Sequence, residues 1–84
     1  MQRGINTDSK YFDEFDLFCK KLRKKILQLR KANGLTQEQM EEFELTLRQY
    51  QRIETGETIN PTLSNLFKIA KALNISIAQL VDFK

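Results

Sequence analysis

No stretch of this chain alternates apolar and polar residues with a period of two; its apolar residues recur instead in steps of three and four. A half-buried strand needs the first pattern to keep one face dry, and an amphipathic helix needs the second. The fold is therefore expected to be all-α. The longest run puts Tyr11, Phe12, Phe15, Phe18, Cys19, Leu22, Ile26 and Leu29 on one helical stripe, and neither Gly nor Pro interrupts it before Gly34. This spacing predicts one long helix, or two abutting ones, over residues 9–32, with Gly34 in the left-handed conformation that closes helices. Residues 1–7 carry no periodicity and read as a loose tail.

Start and stop signals divide the remainder. Thr36 with Gln39, Thr46 with Gln49 and Ser76 with Gln79 have the spacing of capping boxes, each opening a helix. The first of these helices buries Met40 and Phe43, and Leu45 plugs the break that follows. The next buries Tyr50 and Ile53 and stops at Thr55-Gly56. Residues 57–60 form a loop. Asn60-Pro61-Thr62 then breaks the chain and starts a helix with Thr62 as its cap. Leu63, Leu66, Phe67, Ile69, Ala70 and Leu73 supply that helix's apolar face, and Asn74 replaces glycine as its left-handed terminus. A last short helix carries Leu80, Val81 and Phe83, giving about five helices in all.

Composition removes several functions. The 84 residues suffice for one small core but not for a core plus an enclosed catalytic cleft. With no histidine and a single cysteine, Cys19, the usual general base, an internal disulfide and a cysteine-based zinc cluster are all missing. The chain reads as a non-enzyme with no cofactor, metal or evident small-molecule ligand. It has no apolar run of bilayer length and no signal-peptide pattern, so no membrane role is expected and a cytoplasmic location is. Cys19 reads as a small buried hydrophobe. Net charge is +3, compatible with a nucleic-acid partner, and its distribution says more than its sum. Lys20, Lys21, Arg23, Lys24, Lys25, Arg30 and Lys31 form a basic stretch, followed by Glu38, Glu41, Glu42 and Glu44. Each run taken alone reads as a solvated helix face.

Residues 46–54 carry the chemistry. Arg and Gln have the donor and acceptor geometry that matches purine edges in the major groove, and Arg48 and Arg52 lie one turn apart on one face. A helix presenting them behind a supporting helix is the arrangement of a helix-turn-helix reader.

The order of signals then resembles a known family. The residues are Leu22, Ile26 and Leu29-Arg30-Lys31, then Gly34-Leu35-Thr36-Gln37-Glu38, then Ile53-Glu54-Thr55-Gly56. Asn60-Pro61-Thr62-Leu63 and Leu66 with Ile69-Ala70-Lys71-Ala72-Leu73-Asn74-Ile75-Ser76 complete the set. Together they look like the phage-repressor (Xre or Cro) type of helix-turn-helix domain. The resemblance implies a compact five-helix, lambda-repressor-like domain over residues 22–84, preceded by a tail and helical extension over residues 1–21. It also implies a DNA-binding transcriptional regulator that reads a palindromic double-stranded operator as a homodimer. Carried over by position, Gln37 is expected at a phosphate, and Thr46, Leu47, Arg48 and Arg52 at base edges and the adjoining backbone. Gln49 and Gln51 flank them, and Thr55 and Thr62 make further phosphate contacts. Leu47 has only a thymine methyl to offer contact with, or packs. Tyr50 is expected to pack inward with its hydroxyl at the surface, and Glu54 to pair with Arg30.

The chain departs from the family at the turn. The interval from Gln37 to Thr46 is a residue shorter than usual, so the turn is expected to be rebuilt. Glu44 stands where glycine is typical, and a left-handed conformation there costs about 1 kcal/mol. Met40 or Glu41 fills the position where a small residue lets the helices cross. Glutamates facing DNA would repel it. That leaves a second reading, a protein-interaction module on the same fold that has lost DNA binding. In the extension, Tyr11, Phe12, Phe15 and Phe18 either fold back on the domain or form the dimer interface.

Overall fold

The computed structural model describes residues 4–58 and 60–83, and among these the elements are four α-helices and one 3-10 helix, with no strand. The first three residues of the expected tail, and Ile59 in the expected loop, lie outside the described residues.

Helix α1 spans Phe12–Ala32, starting later than the stripe suggested. The Asn6 and Ser9 side chains accept the backbone N–H groups of Asp8 (3.0 Å) and Tyr11 (3.1 Å), a local bonding pattern that competes with helix. Its end is as expected: Gly34 sits at φ 69°. Gly34 donates to Lys31 O (3.0 Å) and Leu35 to Arg30 O (3.1 Å), the paired bonds of a Schellman close. The helix runs unbroken through Lys21 and Leu22, so extension and domain share one element.

The second helix corrects the sequence reading. Its capping box forms, with Thr36 Oγ1 accepting from Gln39 N–H (3.1 Å) and Thr36 N–H donating to Gln39 Oε1 (2.8 Å). Yet Glu38–Phe43 is a 3-10 helix and not an α-helix. The tighter helix rises about 2.0 Å per residue against about 1.5 Å in an α-helix, so a shortened segment still spans the gap to the next element. Met40 is fully buried and takes the crossing position, leaving Glu41 exposed. Glu44 turns left-handed at φ 65° and ψ 30°. Its N–H donates to Glu41 O (3.2 Å) and its carbonyl accepts from Lys68 Nζ (3.1 Å), so neither backbone group is lost to the strain. Leu45 is buried behind it.

Helix α2, Leu47–Thr55, is opened by the Thr46 capping box and closed by Gly56 at φ 87°. A Cβ on Gly56 would lie 2.8 Å from Arg23 Nε, so glycine there also admits the α1 guanidinium. Helix α3, Leu63–Ala72, starts at Thr62, whose hydroxyl accepts the Asn65 N–H (3.1 Å). It ends at Asn74, left-handed at φ 59°. Helix α4, Ile77–Leu80, has the expected Ser76 cap but stops short of Phe83. The chain beyond it is fastened to α1 instead. Lys25 donates to the carbonyls of Gln79 and Asp82, and the Phe83 ring meets Phe18 edge-on at 5.1 Å.

Ile26, Met40, Leu45, Tyr50, Ile53, Ile69 and Leu80 form the centre of the core, drawn from every element. Each such side chain contributes about 1.5–3 kcal/mol by leaving water. Cys19 is buried beside them, and burial pushes its thiol above the ordinary value.

Candidate nucleic-acid interface

Helix α2 divides its side chains cleanly. Tyr50 and Ile53 enter the core. On the far side, Leu47, Arg48, Gln51, Arg52 and Thr55 line a shallow concavity, joined by Gln37 from the start of the 3-10 helix and by Glu57. The structure thus gathers Gln37, Leu47, Arg48, Gln51, Arg52 and Thr55 of the expected contact residues on one surface. Thr46, Gln49 and Thr62 lie outside the concavity. All three are exposed, and each also serves as part of a helix cap.

The concavity is held from beneath by one carboxylate. Arg30 reaches Glu54 with two bonds, Nε to Oε2 at 2.8 Å and a second guanidinium nitrogen to Oε1 at 3.0 Å, and also donates to Leu35 O at 2.8 Å. The two side chains are 10% and 7% exposed, so the pair is shielded from water. This is the pairing expected from sequence. The Tyr50 hydroxyl is a correction: Tyr50 is fully buried and its hydroxyl donates to Glu54 rather than standing at the surface. Gln37 Nε2 adds another bond to Glu54 Oε1 at 3.0 Å, and Gln51 Nε2 in turn donates to Gln37 Oε1 at 3.1 Å. Burial alone would raise the Glu54 carboxyl, but the bonds from Arg30, Tyr50 and Gln37 outweigh it and hold the group below its ordinary value. Burial and the same carboxylate push the Tyr50 hydroxyl well up. The hydrogen bond to Glu54 raises the Arg30 guanidinium, against desolvation.

The flanks of the concavity are thus engaged while its centre is open. Gln51 is tied to Gln37 on one side. Arg52 pairs with Glu57 on the other at 3.4 Å, an exposed contact worth at most about 1 kcal/mol. Among the described residues no hydrogen bond or ion pair engages Arg48, which is exposed at the middle. Glu38, Glu41, Glu42 and Glu44 are exposed but do not line the concavity.

Sequence reasoning missed the Gln37–Gln51 bond, the Tyr50–Glu54 bond and Glu57. Only the second had a local signal, since residues four apart on a helix are neighbours. The N-terminal stripe is partly covered. Tyr11 (55% exposed) and Phe18 are open to water, Phe12 and Phe15 are half-buried, and Leu17, not foreseen, is exposed as well. Ile5, Tyr11, Glu14, Phe15 and Phe18 line a second shallow hollow there. No helix of the structure is long and apolar enough to cross a membrane. No grouping of side chains able to hold a metal ion occurs among the described residues.

Residues 26–80 match the family HTH_3, helix-turn-helix. Over 61 residues the chain is 44% identical to the cryptic phage CTXphi transcriptional repressor RstR of Vibrio cholerae serotype O1 (strain ATCC 39315 / El Tor Inaba N16961). The aligned stretch is 71% of this chain and 54% of the relative, so the chain spans about half the length of the curated relative it matches. No solved structure matches it significantly.

Proposed function

Because this chain belongs to the helix-turn-helix family HTH_3, we propose that it is a sequence-specific DNA-binding transcriptional regulator that lays α2 in the major groove. It is not an enzyme, and it acts in the cytoplasm on double-stranded DNA. The observation that carries this reading is the composition of the α2 face: Arg48, Gln51 and Arg52 share one concavity with Gln37, over a buried ion pair that fixes the helix beneath them. Long donors on a rigid element are what base readout needs. Arg48 binds guanine O6 and N7, Arg52 a base edge or the adjoining phosphate, and Leu47 a thymine methyl. Gln37 keeps one N–H for a phosphate after serving Glu54, and Thr46, Gln49, Thr55 and Thr62 touch the backbone around it.

The relative is a repressor by name. The same role here is a homodimer on a palindromic operator, joined through Tyr11, Phe12, Phe15 and Phe18 of the extension. The reading as an interaction module that has abandoned DNA loses its main support, because the acidic residues of the 3-10 helix lie off the concavity. Selection from random duplex DNA tests the proposal. The expected result is an enriched, roughly palindromic site whose affinity falls steeply with salt. Arg48→Ala should relax preference at one base position by about 1–3 kcal/mol. Recovery of no enriched site would sink the reading.

A further inference from the structure

We infer that Glu57 makes Arg52 a reader of guanine rather than a clamp on phosphate, by holding the inner nitrogen of its guanidinium and offsetting its charge. This rests on the DNA-reading proposal above and names a specificity-determining pair within that surface. Glu57 stands just past the end of α2, and its place opposite Arg52 is built by the backbone. Gly56 turns left-handed at φ 87° and its N–H donates to Ile53 O at 3.3 Å. The Thr58 N–H then reaches back to Arg52 O at 2.9 Å. These two bonds fold the loop onto the last turn of the helix and carry Glu57 between them. Its Oε1 lies 3.4 Å from Arg52 Nε. Among the described residues, Glu57 is the carboxylate that lines the concavity.

The consequence follows from how a guanidinium divides its donors. Arginine has one N–H on Nε and four on the terminal nitrogens, in a rigid planar fork. The carboxylate faces Nε, and among the described residues no hydrogen bond takes the terminal nitrogens. They are left as the fork that spans guanine O6 and N7. An arginine free to swing lays the same fork on any phosphate, a contact that carries no sequence information. Arg52 and Glu57 together also carry no net charge, so the pair has little pull on phosphate, whereas the unpartnered Arg48 beside it keeps its full pull. Both effects lower affinity for random DNA more than affinity for the right base. The pair is exposed, so its hold is modest, at most about fivefold in favour of the held orientation. Glu57 is the positioning residue in this scheme, and Arg52 is the one that touches the base.

The test is a double-mutant cycle on the full chain. Wild type, Glu57→Gln, Arg52→Met and the double variant are titrated with the selected operator, with its single-base variants and with random duplex of equal length. Each titration is repeated over a salt series, alongside thermal unfolding. Arg52→Met should abolish a guanine preference at one position per half-site, about fivefold to a hundredfold in wild type. Glu57→Gln should cut that preference by about threefold or more while binding random duplex about threefold to tenfold more tightly at low salt. Its slope of log affinity against log salt should steepen by about one, the mark of a cation returned to phosphate. With Arg52 already replaced, Glu57→Gln should leave base preference unaltered. The inference is overturned if Glu57→Gln strengthens all sequences equally with the guanine preference intact, which would make Glu57 a repelling charge only. It is equally overturned if Glu57→Gln shifts base preference without Arg52, since Glu57 would then read a base itself. A lost preference that comes with a lowered melting temperature ends it too, as the role would be to hold the helix end. If wild type enriches no site, the DNA-reading proposal falls first and takes this one with it.

Discussion

Replacing Glu54 by glutamine would leave Arg30 shielded from water with no anion opposite it, and would strip Tyr50 and Gln37 of their charged acceptor. Breaking one side of a buried pair costs about 3–5 kcal/mol, a large part of the stability of a domain this size. The expected outcome for Glu54→Gln is a loss of that order at neutral pH, read from urea unfolding. The pH dependence has a definite sign. The folded-state pKa of Glu54 lies below its ordinary value of 4.5, so its contribution is complete above that value and is lost as pH falls beneath it. The gap between wild type and Glu54→Gln should therefore narrow on acidification. A gap that is constant from pH 7 to pH 3 would mean that the carboxylate's charge contributes nothing to the fold. The pairing of Glu54 with Arg30 was legible in the sequence because a carboxylate facing phosphates would oppose binding, which left Glu54 a structural role with Arg30 as its counter-ion across the domain. The Tyr50 hydroxyl was not, because its direction depends on a carboxylate drawn inward by a residue 24 positions away.

Among the elements, the 3-10 helix exits through Glu44 in a left-handed conformation, which is costly for a non-glycine residue. Both hydrogen bonds at Glu44 are made by its backbone, so Glu44→Gly keeps them and removes the Cβ clash. The relief of about 1 kcal/mol is partly offset by the added freedom of an unfolded glycine. A net gain of about 0.5 kcal/mol, or a few degrees in melting temperature, is expected by calorimetry. A decrease would show that the Glu44 side chain itself stabilises the turn. The opposite change, Gly56→Ala, meets both a positive φ and the Arg23 guanidinium, and should destabilise. Element existence was legible where the signals are local. Three capping boxes, Gly34, Gly56 and Asn74 all stand where the residues alone put them. The 3-10 geometry was not legible in the same way. It is decided by the distance left between α1 and α2, to which no run of neighbouring residues points.

At the scale of the whole molecule, the charge pattern that looked self-defeating in the sequence is sorted in space. The concavity on α2 holds Arg48 and Arg52, while the acidic run from Glu38 to Glu44, on the 3-10 helix and its cap, presents its carboxylates elsewhere. Linear proximity of basic and acidic runs could not reveal this, because it follows from Met40 facing inward and Glu41 outward.

Tyr11 and Phe18 are exposed and Phe15 half-buried at the far end of α1, around a shallow hollow. In the proposed homodimer the same residues would meet their own copies about a two-fold axis, where aromatic rings supply large apolar area. At about 25 cal/mol per Å2 a few half-covered rings only just repay the loss of free tumbling on association, so the free dimer should be weak. On DNA the balance differs. Two copies held on adjacent half-sites are near each other at an effective concentration of order millimolar, where a weak contact becomes strong cooperativity. The double variant Tyr11→Ser with Phe15→Ser should therefore bind an isolated half-site as wild type does, yet bind the full palindrome at least tenfold more weakly. Titration of both duplexes, with helicity checked by circular dichroism, distinguishes the cases. Equal loss on half-site and palindrome would point to damage within the domain, and no loss on either would place the dimer contact away from the extension.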